Sequence, residues 1–187
     1  QQMQTQNCEE LRPLYMPKIR FVCEFTPQEA AETGLDRVRF LMSANVGEAL
    51  KPLSKVASGG ELARIMLAMK QVLAQQDGVP TLIFDEVDAG VSGRAAQKVA
   101  LKLWAVSKGR QVLCVTHLPQ IAAMADAEFT VEKRVEHERT YTSVLHLDDA
   151  GRRQELARLI GGSMITETTL AGAAELLRLA DEAKRGI

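Results

Sequence analysis

Thr81-Leu82-Ile83-Phe84-Asp85-Glu86-Val87-Asp88 decides the fold, because an unbroken apolar tetrad running straight into two acids has the pattern of a buried strand ending on carboxylates. A helical pattern follows from Ala95 to about Ser107, and Gln111-Val112-Leu113-Cys114-Val115 then makes a second buried strand. Strand, helix, strand implies a parallel pair with a right-handed crossover. Such α/β sheets bind ligands at the carboxyl edge, where Asp85 and Glu86 stand. Side-chain alternation sends the two acids in different directions. In nucleotide hydrolases an aspartate here holds Mg²⁺, and a following glutamate orients or deprotonates the attacking water. The plainer alternative is that both acids simply end a strand.

Upstream, Ser58-Gly59-Gly60-Glu61 opens a helix whose apolar residues Leu62, Ile65, Met66, Met69, Val72 and Leu73 recur at spacings of three and four. Asp77-Gly78 and Pro80 stop it. Two glycines allow close backbone approach, and a helix start offers free N–H groups and a positive dipole end, which together suit a phosphate. Ser58 and Glu61 also fit a capping box that needs no ligand, although a cap leaves the glycine pair unexplained. Downstream, Thr116-His117 places an imidazole on the same sheet edge as the acids. Asp88 adds a carboxylate just past the strand, where it could equally cap a turn.

The rest of the chain is organised around these motifs. Residues 1 to about 12 are polar and Gln-rich, with an apolar stripe too thin for a core helix, and are expected to be a tail or the end of a helical arm. Ile19 to Phe25 and Arg37 to Met42 have the pattern of strands, and residues 45 to 57 that of a loop. A short helix is expected over Leu118 to Ala125, a hairpin over 128–135 and 140–147, and closing helices over about 152–160 and 166–184, split by Gly161-Gly162.

With 187 residues and 46% hydrophobic content, the chain can bury a substantial core. A formal net charge of −1 gives no global pull toward nucleic acid or membrane. Cys8, Cys23 and Cys114 are widely spaced without a CxxC pair, so they are expected to be reduced thiols rather than zinc ligands. No signal-peptide pattern and no run of about 18 apolar residues occurs, which predicts a cytoplasmic protein with no membrane partner.

In their order, these strings carry a resemblance. Val56 to Arg64 resembles an ABC-type signature motif, Thr81 to Glu86 a Walker B strand, Val87 to Gly90 a D-loop, and His117 a switch histidine. Leu53–Lys70, Pro80–Arg94, Gln111–Ala122 and Val131–Arg139 together resemble the carboxyl-terminal part of the RecN family, bacterial SMC-like DNA repair proteins. The resemblance implies an α/β fold: the C-terminal lobe of an ABC/SMC-type P-loop ATPase head, a mostly parallel sheet flanked by helices, with a β-hairpin. Residues 1–16 would end a coiled-coil arm or tail, and 17–187 would form the lobe. It further implies ATP and Mg²⁺ as cofactors, with Asp85 on the metal, Glu86 as water-activating base and His117 at the γ-phosphate. Ser58, Gly59, Gly60 and Glu61 would close over ATP held by a second head in a homodimer, and Asp88 would couple the two sites. The implied role is repair of DNA double-strand breaks by recombination, in a nucleoid-associated bacterial protein.

No GxxxxGK[ST] occurs, so the phosphate-cradling lysine is expected in an N-terminal Walker A lobe, without which this chain would be inactive. For DNA, Lys133, Arg134, Arg139, Arg152, Arg153 and Arg158 are the basic candidates, but Glu132, Glu136, Glu138 and Glu155 interleave with them. The competing enzyme reading is a metal-dependent phosphoesterase using Asp85, Glu86, Asp88 and His117 as ligands. A DExD helicase box at Asp85–Asp88 and an inert scaffolding lobe complete the alternatives.

Overall fold

The computed structural model describes residues 2–14, 16–32, 34–43, 47–55, 59–73, 78–136 and 139–186, and divides into two compact units, Gln1–Val115 and Thr116–Ile187. That division falls immediately before Thr116-His117. The first unit opens with helix α1 (Gln2–Leu11), so the amino-terminal stretch is helical and packed. Asn7 and Leu11 are fully buried, α1 lies against the helix that follows Gly59, and Lys102 is ion-paired with Glu10. A polar helix with few apolar residues still docks when those few coincide with a partner's apolar face. A fully buried leucine of this kind contributes about 1.5–3 kcal/mol.

Strands β1 (Arg20–Ala31) and β2 (Gly34–Ser43) pair antiparallel along nearly their whole length, with a register shift between Pro27 and Ala31, and β3 (Lys51–Pro52) adds a short edge. Phe21 and Met42 are buried at the base, where Phe21 stacks on Phe40 at 5.6 Å between ring centroids. Toward the turn the same face emerges, leaving Phe25 and Val38 exposed, and Leu35 is exposed on the other face.

Helix α2 (Gly59–Val72) leads to β4 (Thr81–Phe84), helix α3 (Arg94–Ser107) and β5 (Gln111–Cys114). β4 and β5 pair in parallel, Thr81 opposite Gln111 through Phe84 opposite Cys114, as strand, helix, strand requires. Ile65, Leu67 and Ala68 of α2 and Ala96, Val99 and Val106 of α3 form the unit's core with Leu14 and Val87. Among the described residues β4–β5 is the parallel pair flanked by helices, and the other ladders are antiparallel. Short hairpin connections permit antiparallel pairing alone, while each parallel pair needs a crossover.

The second unit holds the short helix α4 (Pro119–Ala122), the hairpin β6 (Phe129–Glu136) and β7 (Arg139–His146), and helices α5 (Asp149–Gly161) and α6 (Glu167–Arg185). Asp148 caps α5 by accepting from the Gly151 N–H at 2.7 Å. Thr166 caps α6 reciprocally with Thr169, a capping box with threonine in place of glutamate. Gly162, at φ +74°, supplies the left-handed turn that ends α5. A β-carbon on Gly161 would lie 2.7 Å from Thr169 Cγ2, so glycine there lets the two helices meet closely.

Glu128, buried just before β6, is bound by Arg152 Nε at 3.4 Å, yet burial raises its carboxyl above the ordinary range more than the arginine lowers it. A raised folded-state value means the stability it contributes is present at low pH and lost as pH rises through that value. Glu128→Gln should therefore melt above the parent at pH 7.5, with the gap closing as pH falls toward 4; thermal denaturation across that series checks the sign.

Candidate functional site

β4 brings its two acids to the end of the parallel pair. Leu82 and Phe84 are buried, but Ile83 on the opposite face is 70% exposed, and Leu113 and Val115 of the neighbouring strand are exposed with it. The apolar run predicted a strand covered on both faces; among the described residues one face is covered. Asp85 and Glu86 are exposed, and the chain then turns sharply, with Glu86 at φ +56°. A left-handed glutamate costs about 1–2 kcal/mol and persists where its surroundings hold it. Here Ala89 N–H donates to the Glu86 carbonyl at 3.0 Å and Val91 N–H to that of Asp88 at 3.0 Å, while Val87 and Asp88 are buried.

Cys114 registers the negative field of this turn from the adjacent strand. Burial first, then the charges of Asp88 and Asp85, push its thiol up to about 12. Both carboxylates thus act on one point at the strand ends, which is where the sequence placed them.

α2 meets the same turn from the other side. A β-carbon on Gly59 would lie 2.6 Å from Glu86 Oε2, and one on Gly60 would lie 2.7 Å from Ala89 Cβ, 2.9 Å from the Ala89 carbonyl and 3.1 Å from that of Glu86. Gly60 is therefore what admits the acidic turn against the helix start, and Gly59 lies beside the Glu86 carboxylate. One helical turn on, Arg64 is 8% exposed and donates from Nη1 to the Ala89 carbonyl at 2.8 Å. Burial pulls its guanidinium below its usual range, with Glu61 opposing that shift. Glu61 lies in the first turn of α2 and is engaged. Ser58, and with it the expected Ser58–Glu61 capping box, lies outside the described residues.

Gly59, Gly60, Glu61, Asp85, Glu86 and Asp88 share the first unit, whereas His117 belongs to the second. There His117 is exposed and stands just before Leu118, the N-cap of α4, and Thr116 Oγ1 accepts from the Leu118 N–H at 3.1 Å. Arg64 received no role from sequence, although it sits four residues after Gly60 and therefore on the same helix face. Of the basic DNA candidates, Arg134 pairs with Glu132 at 3.0 Å and Arg158 with Glu155 at 2.6 Å, while Arg152 turns inward to Glu128. The interleaved acids neutralise part of that surface, as their spacing suggested.

The chain is 47% identical to the DNA repair protein RecN of Bacillus subtilis over 191 residues, covering 94% of this chain and 33% of that protein. With RecN of Treponema pallidum it shares 50% identity over 159 residues, 85% of this chain and 28% of the relative. The chain belongs to the RecN family. It spans about a third of the length of these curated RecN relatives. No family model matches it. Among solved structures, it is similar in fold to an SMC ATPase studied for ATP-driven dimerisation and DNA-stimulated activation, with TM-score 0.52, 21% identity, and coverage of 87% of this chain and 93% of that one. An SMC-type head lobe is thus the fold. The ligand set of the phosphoesterase alternative is not assembled: among the described residues no three His, Cys, Asp or Glu side chains group as a metal site. Nor is any helix among them long and apolar enough to cross a membrane.

Two outcomes test this geometry. Gly60→Ala forces a methyl against backbone and should cost about 1–3 kcal/mol in urea unfolding, whereas Gly59→Ala meets the movable end of Glu86 and should stay near the parent. Cys114 should resist iodoacetamide at pH 8.5, and Asp85→Asn with Asp88→Asn should speed its alkylation in part, since burial is the larger cause.

Proposed function

We propose that this chain is the carboxyl-terminal lobe of a RecN-type ATPase head, working in double-strand break repair by recombination in the bacterial cytoplasm and nucleoid. What supports the reading most is the seating of the Gly59-Gly60 helix start on the Asp85–Ala89 turn. It joins the element that would close over one nucleotide to the carboxylates that would act on another. Asp85, an exposed oxygen donor at a strand end, suits a hard cation such as Mg²⁺, which when bound would offset charge on the phosphates. Glu86 orients and deprotonates the attacking water, and His117 donates toward the transferred phosphoryl oxygens. Ser58, Gly59, Gly60 and Glu61 face ATP held by a second copy of the head, and Asp88 lies between the two sites.

The lysine loop that cradles phosphates belongs to an amino-terminal Walker A lobe, and the bare face formed by Ile83, Leu113 and Val115 suits its sheet. ATP binding would join two heads and hydrolysis would part them, a switch in which a terminal phosphate holds two surfaces together. DNA would engage the assembled dimer.

The test is ATP turnover by a full-length RecN carrying this sequence as its carboxyl-terminal third. Glu86→Gln should lower kcat by roughly 10²–10⁴-fold while ATP binding persists. The chain alone should turn over none. Parent-like turnover in Glu86→Gln would remove the base assignment.

A further inference from the structure

The segment that carries His117 is too short to hold itself in place. α4 has four residues, and a single turn of helix is unstable without tertiary support. Its middle is anchored by burial, with Ile121, Ala122, Ala123 and Met124 all under 10% exposed. Its carboxyl end is gripped by charge. Arg152 Nη2 donates to the Ala125 carbonyl at 2.8 Å, and Lys184 Nζ approaches the same carbonyl at 3.3 Å while pairing with Asp126 at 2.7 Å. Two cations thus hold one carbonyl oxygen, that of Ala125, three residues beyond the end of α4.

The cations come from opposite termini of the helical pair. Arg152 lies in the first turn of α5 and Lys184 in the last turn of α6, so the antiparallel packing of α5 on α6 brings them to one end. Both side chains are 17% exposed, low for residues that normally extend into water. Arg152 is itself braced by the buried Glu128. The glycine contact between Gly161 and Thr169 fixes the far end of the pair, so the helices present the two cations from a rigid support.

We infer that Arg152 and Lys184 are positioning residues for His117: clamped on Ala125, they stop the 119–125 segment from pivoting about its buried middle and so set where the histidine just ahead of it stands. The inference rests on reading His117 as the residue that meets the terminal phosphate. It gives the two carboxyl-terminal helices, to which no motif belongs, a part in the reaction. Loss of one cation releases the carboxyl end of the element while its apolar middle stays in the core, so the histidine shifts without unfolding of the unit.

Lys184→Met, Arg152→Met and Arg152→Lys test it with two readouts. In the 187-residue chain, which has three histidines, the His117 ring resonances should shift and broaden in Lys184→Met while those of His146 stay at parent positions. In full-length RecN carrying this sequence, Lys184→Met should lower kcat by roughly ten- to a hundredfold with KM for ATP little changed, and Arg152→Lys should recover part of the loss seen in Arg152→Met. Should Arg152→Met fail to fold, Lys184→Met decides alone. Unmoved His117 resonances, or parent-like kcat in Lys184→Met while His117→Ala is inactive, would overturn the inference. A fully active His117→Ala would instead overturn the role given to the histidine, and the resonances would still decide whether the clamp sets its place.

Discussion

The contact between the first turn of α2 and the turn after β4 is the constraint on which the first unit depends. The backbone and the Ala89 methyl of the turn leave no room for a β-carbon at residue 60, so Gly60 is a steric requirement before it is a chemical one, while Gly59 faces the movable end of Glu86. Once they meet, the Ala89 carbonyl loses access to water and needs a donor, which Arg64 supplies. That bond in turn buries a guanidinium whose Nε has no partner among the described residues, a cost that the bond to the fixed Ala89 carbonyl offsets in part. The left-handed Glu86 is held between these demands. Helix start and acidic turn therefore behave as one block, and a displacement of either is felt by the other.

Much of this was legible in the residues. The apolar tetrad before Asp85 gave β4, and the period-3.6 pattern gave α2 and its start, though α2 ends at Val72, ahead of the stop expected at Asp77-Gly78. The hairpin at 129–146 was legible despite a turn lacking Asn-Gly, since its strands alternate strongly. α1 was not, because its burial depends on Asn7 and Leu11 meeting α2 across the unit, and no local pattern in a Gln-rich stretch records that. The preponderance of antiparallel ladders was hidden for a similar reason: a family-level sheet order describes a whole head, and this chain contributes part of it.

At the site, the residue types and their order were readable, and the contacts were not. Asp85, Glu86 and Asp88 declare themselves by following an apolar strand, and the glycines by preceding a strong helix. Arg64 does not, because an arginine four residues into a helix is ordinarily a solvated one, and its buried bond depends on a carbonyl 25 residues away. The same holds for Arg152, counted from sequence among surface charges and found bound to a buried glutamate and a backbone oxygen.

The ion pair of Glu10 with Lys102 joins residues 92 positions apart, and it carries a consequence for how the molecule is made. Closing so long a loop is slow, since its entropy is lost before the contact rewards it, and the first unit cannot bring α1 home until α3 exists. The second unit closes shorter loops: its hairpin and helical pair join near neighbours, and Lys184 reaches Ala125 across 59 positions. Within this stretch of chain the second unit can thus fold as soon as it is made, while α1 waits for α3.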